Sequence, residues 1–111
     1  MLVNKNVALE ELGISEEDYT EFLGDLKGYA KDTLPQLRDL ISSNGSKEEI
    51  LFLAHSLKGA CRNMRFILAG TLAGDLEKYA GGKLEADPQA LLAQLEKALE
   101  DSFAQFGLSI Q

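Results

Sequence analysis

The strongest constraint on this chain is the spacing of its apolar residues, which recur every three or four positions along most of its 111 residues and nowhere alternate with polar ones as a half-buried strand demands. Tyr19, Phe22, Leu23, Leu26, Tyr29 and Ala30 form one such stripe, and Leu34, Leu37, Leu40 and Ile41 continue it. Ser15-Glu-Glu-Asp18 opens the stripe with a hydroxyl cap and with acidic side chains where the helix dipole favours them. Pro35 removes a backbone donor within it, which predicts either a kink or a break. Asn44-Gly45 is a stop signal, and Ser46-Lys-Glu-Glu49 restarts a helix through a capping box, expected to run to residue 65. Leu68, Leu72, Leu76 and Tyr79 make a further stripe that ends at Gly81-Gly82. Asp87-Pro88 then opens a last one carrying Leu91, Leu92, Leu95, Leu99, Phe103 and Phe106. Short connections favour antiparallel neighbours, so the expected fold is all-α: an antiparallel up-and-down four-helix bundle. A short additional N-terminal helix over Val7 to Leu12 is expected to close one end through Leu9, Leu12 and Ile14.

The length allows one core, so residues 1–111 are read as a single domain. With 45% hydrophobic residues and two prolines, the chain has the composition of a folded protein rather than of a disordered polyanion. The N-terminus lacks the features of a signal peptide, and no apolar run approaches the roughly 20 residues that span a bilayer, so a cytoplasmic protein with no membrane partner is expected. Cys61 stands alone, which excludes an internal disulfide and a thiolate zinc site. A net charge of −7 argues against nucleic acid as a partner, because phosphate recognition needs a basic surface. No surplus apolar stripe is evident, and a monomer is expected. Between Ile50 and Gly74, however, there is no Asp or Glu, while Lys58, Arg62 and Arg65 fall inside, together with the one histidine, His55.

Placing His55 at zero and advancing about 100° per residue puts Leu53, Leu57, Ala60 and Met64 at about 140° to 200°, the side read as buried. His55 lies opposite them and faces solvent. Lys58 falls at about −60°, Arg62 at about −20° and Arg65 at about −80°, so the three cations share its face. Gly59, at about +40°, leaves the space beside the ring bare and costs about 1 kcal/mol relative to alanine. A lone histidine on a surface helix is ordinarily a solvated side chain. Its uniqueness, the uniform positive sign around it in an acidic protein and the glycine beside it weigh the other way. Leu51 and Phe52 also lie near this face, as parts of a docking surface or, for Leu51 in equal measure, as packing against the N-terminal segment.

A solvent-exposed imidazole is largely neutral near pH 7 and nucleophilic. Attack on phosphorus would create a phosphoramidate whose charge Lys58 and its fellow cations offset. Little else is catalytic: no carboxylate cluster is spaced to hold magnesium, no glycine-rich loop cradles a nucleotide, and no Ser/His/Asp set assembles.

Ala54-His-Ser-Leu-Lys-Gly-Ala60, continuing through Asn63 and Met64 to Leu72, Ala73, Leu76 and Glu77, resembles the signature of histidine-containing phosphotransfer domains. That signature is His-x-Leu-Lys-Gly and a small residue, then an apolar-Gly turn into a helix ending in Leu-Glu. The resemblance implies that His55 is the phosphoacceptor, through Nε2, that Lys58 assists the phosphoryl group, and that Gly59 admits a receiver domain. It also implies a phosphocarrier rather than an enzyme, with no cofactor of its own. The implied partners are response-regulator receiver domains and a hybrid sensor histidine kinase, the receiver supplying Mg2+. A bundle that docks on a receiver or kinase without being phosphorylated is the alternative. Arg65 and Phe66 depart from the pattern where the family has glycine and a smaller residue. They predict a turn of a different kind, and make Arg65 either a determinant of partner choice and phosphate contact or an uninvolved side chain.

Overall fold

The computed structural model describes residues 2–110. Five helices follow in order: α1 (Lys5–Leu12), α2 (Glu16–Ser42), α3 (Lys47–Asn63), α4 (Ile67–Ala80) and α5 (Pro88–Ala104), with no strand among the described residues. Side-chain caps start four of them. Asn4, Ser15 and Ser46 accept from the amides of Val7, Asp18 and Glu49 at 3.1, 3.1 and 3.2 Å, and Asp87 accepts from Gln89 N at 3.0 Å. Helix α4 has no side-chain cap, since Phe66 occupies that position.

Neighbour pairs α2 with α3, α3 with α4, α4 with α5 and α5 with α2 close the ring of a four-helix bundle, and α1 is the short additional N-terminal helix. Helix α2 runs unbroken through Pro35, which lies on its exposed side. One turn loses a backbone bond there, and Gln36 Nε2 donates to the Asp32 carbonyl at 3.0 Å in the same turn. Helix α1 is tied down by two ion pairs, Lys5 to Glu16 and Glu11 to Arg65, both at 2.9 Å. The fully buried Val3 ahead of it is clamped by Gln105, the residue that follows α5, which accepts from the Val3 amide at 3.0 Å and donates to its carbonyl.

The core differs from the periodic reading in three places. Phe22, assigned to the α2 stripe, is 42% exposed. In α4, Leu68 is 44% exposed, and the inward face is made instead of Ala69, Gly70, Ala73, Gly74, Leu76 and Ala80. In α3 the buried line is Ile50, Ala54, Leu57 and Cys61, with Leu53 and Ala60 only half-buried. The inward face of α3 is thus turned by about 60° toward α4 from the expected line, at about 100° per residue. The small residues of α4 cause this: they let α3 lie close against it, whereas the α2 side keeps larger side chains.

Candidate functional site

The close seating of α3 on α4 brings the positive edge of one helix over the last turns of the other. An added Cβ at Gly74 would lie 3.3 Å from Lys58 Cδ, so the glycine is the slot in which the lysine stem rests. One turn further along α4, Glu77 receives the His55 and Lys58 side chains of α3. Its Oε1 accepts from Lys58 Nζ at 2.6 Å and its Oε2 lies 2.7 Å from His55 Nδ1. An ionised carboxylate can only accept, so the imidazole donates through Nδ1, and in the neutral ring this assignment leaves the lone pair on Nε2. The ring is held by one edge and open on the other: the His55 side chain is 63% exposed, against 21% for Lys58 and for Glu77.

The electrostatics centre on the carboxylate. The hydrogen bond from Lys58 is the main force holding Glu77 below the ordinary carboxylate range; partial burial opposes it and the bond from His55 adds to it. In the resting protein the Lys58 charge is therefore already matched. Cys61, buried beneath this face, has its thiol pushed up to about 12 by burial, which leaves it an inert core residue. Among the described residues no three His, Cys, Asp or Glu side chains cluster as a metal site.

The other residues read from the sequence separate into two groups. Gly59 borders the ring on open surface, with nothing within 4 Å of an added Cβ, and Phe52 stands out at 67% exposure. Arg62 is exposed on the His55 face with its stem against Gly70 of α4. Leu51 packs against the end of α4, where its Cδ1 lies 3.4 Å from an added Cβ at Gly81. Arg65 is drawn away from His55: its Nε donates to Glu11 at 2.9 Å and its Nη1 to the Arg62 carbonyl at 3.0 Å.

The turn at Arg65 corrects the expectation of a different connection. Arg65 adopts φ 62°, the left-handed conformation that glycine enters freely. Its amide donates to the Arg62 carbonyl at 3.0 Å and the Phe66 amide to that of Cys61 at 2.8 Å, the two bonds of a Schellman ending. The arginine makes the glycine turn, at a cost of roughly 1 to 2 kcal/mol, against which its own hydrogen bonds and the burial of Phe66 act. Tyr19 of α2 completes the ending by donating to the Met64 carbonyl at 2.8 Å.

Glu77 had no role assigned by sequence reasoning, although it stands in the Leu-Glu of the family signature. The spacing rule of one helix cannot register α3 against α4, and the signal lay only in that dipeptide. A second feature absent from the linear reading is an apolar groove of about 440 Å³ on the α2 side of α3, lined by Leu12, Phe22, Tyr29, Ala60 and Met64 among others.

The arrangement is a histidine held at one edge by a carboxylate and open to solvent at the other, on a four-helix bundle. The sequence model of the Hpt domain matches residues 21–105, so the chain belongs to the Hpt domain family. Hpt domains are phosphotransfer carriers of two-component signalling, and the chain is a module of that kind. The sensor histidine kinase AruS of Pseudomonas aeruginosa is 33% identical over 79 residues, which make up 71% of this chain and 8% of that kinase. This chain therefore corresponds to a small part of that relative. No solved structure matches the chain significantly. No helix among the described residues is long and apolar enough to cross a membrane.

Proposed function

We propose that His55 accepts a phosphoryl group from an aspartyl phosphate on one receiver domain and passes it to an aspartate on another, in a relay between a hybrid sensor histidine kinase and a response regulator. The observation that carries this reading is the His55 to Glu77 bond on Nδ1, with the opposite edge of the ring in solvent. The Nε2 lone pair attacks phosphorus in line, the bond to the aspartate oxygen breaks, and the aspartate leaves as a carboxylate. The new N–P bond places positive character on the ring, which Glu77 offsets at Nδ1 while the proton stays there. Lys58 is within a side-chain swing of the phosphoryl oxygens and exchanges Glu77 for them as negative charge arrives. The receiver brings Mg2+ and its own catalytic groups, so this chain supplies an oriented acceptor and a cation, and the transfer is reversible.

The test is incubation with a panel of phosphorylated receivers. Label is expected on wild type and not on His55→Gln, with Lys58→Ala labelled more slowly. Stable binding without label on any receiver would favour the docking bundle instead.

A further inference from the structure

Two glycines on α4 seat the stems of two α3 cations, and the two cations then differ. Gly74 takes Lys58, whose ammonium is claimed by Glu77. Gly70 takes Arg62, and an added Cβ there would lie 3.0 Å from Arg62 Cγ. The other arginines are both paired, Arg38 with Glu96 at 3.0 Å and Arg65 with Glu11 at 2.9 Å. Among the described residues Arg62 has no carboxylate partner, and it is exposed.

Arg62 lies two turns beyond His55 on the same face, roughly 10 Å along the axis at 1.5 Å per residue. The bare surface of Gly59 lies between them on one flank and Lys58, held by Glu77, on the other. A protein docked over His55 with an ordinary footprint of about 800 Å² per partner covers a radius of about 16 Å, so it covers Arg62 as well. A guanidinium covered there needs a planar acceptor, and a carboxylate fits its fork with two bonds. The stem is anchored on α4, which holds the charge beside the phosphoryl site rather than on it.

We infer that Arg62 is a specificity-determining contact of this surface, pairing with a carboxylate at the rim of the cognate receiver's docking face, distinct from the aspartate that carries phosphate. The inference rests on the phosphorelay reading and names the chemistry of its partner. Lys58 does not serve this rim contact, because Glu77 engages it at rest and, on that reading, the phosphoryl group engages it during transfer. In a chain of net charge −7, an unpaired arginine at the docking face also steers an acidic partner toward it.

The experiment compares wild type, Arg62→Ala, Arg62→Glu, Arg62→Lys and Gly70→Ala in transfer kinetics and in direct binding to unphosphorylated receivers. For the cognate receiver, Arg62→Ala is expected to raise KM and Kd about tenfold, Arg62→Glu further, and Arg62→Lys less, with kcat unchanged. The salt dependence of binding should flatten in Arg62→Ala, and Gly70→Ala should give part of the loss by displacing the stem. A receiver with one rim carboxylate reversed to arginine should restore binding to Arg62→Glu. A fall in kcat at constant KM would mean that Arg62 acts on the phosphoryl group, and unchanged Kd across the series would mean that it meets nothing; either result overturns the inference while His55 labelling stands. Absence of label on wild type from every receiver would overturn the phosphorelay reading, whereas the binding series judges Arg62 without any transfer.

Discussion

The two ends of the surface along α3 are built for different purposes. Around His55 the helix shows side chains to solvent: a ring 63% exposed, a bare Gly59 and a protruding Phe52. Past Asn63 the helix ending is packed, with Met64 and Phe66 buried. Phe66 is fully buried, its ring 5.0 Å from Phe103 edge-on and 6.3 Å from Phe106 in a stack. Tyr19 closes the Met64 carbonyl and Arg65 ties the ending to α1. The contrast teaches that an exposed histidine can be held in a fixed orientation by anchoring its helix elsewhere. The site itself then carries little of the stability, and its side chains remain free to answer to a partner.

Mutations at the closed end should therefore cost stability and those at the open end function. The largest effect is expected from Phe66→Ala, about 3 to 5 kcal/mol of unfolding free energy through a core cavity, read as a lowered denaturation midpoint. His55→Gln should stay within about 0.5 kcal/mol of wild type. Equal losses from the two would erase the distinction. Tyr19→Phe ranks next, at about 1 to 3 kcal/mol, because it strands the Met64 carbonyl in a buried place; a cost below a few tenths would place water where the hydroxyl was.

Glu77→Gln is the smallest in stability and the sharpest in pH. The Glu77 carboxyl is held low in the folded protein, so its contribution is complete above the ordinary value of 4.5 and fades as pH falls through the lower folded value. Urea titrations should show the wild-type advantage over Glu77→Gln shrinking with acidification across that window. A difference that is constant from neutral to acid pH would deny the carboxylate its link to Lys58. In the same variant the imidazole loses its charged anchor, so nitrogen NMR should report a mixed tautomer at His55 in place of one dominated by the Nδ1 proton.

Much of this was legible in one dimension. Apolar periodicity and the caps at Ser15, Ser46 and Asp87 marked the helices because both depend on neighbours within a turn or two of the same chain. The outward direction of His55 and the bare flank at Gly59 followed from the same helical arithmetic. Arg65 was legible as an oddity but not as a solution: its residue type argued against a glycine turn, and only the burial of Phe66 and the bonds to Glu11 and the helix end explain why the turn persists.

What the amino-acid order determined by itself was local: which segments coil, where they start and stop, and which way one imidazole points from its own axis. The packed bundle decided the rest. Small residues on α4 drew α3 toward it, turned the core line by about 60° at about 100° per residue, and set Glu77 under both His55 and Lys58. That register comes from the fit of two surfaces, in which a missing Cβ at Gly74 matters as much as a charge, and no spacing within a single helix encodes it.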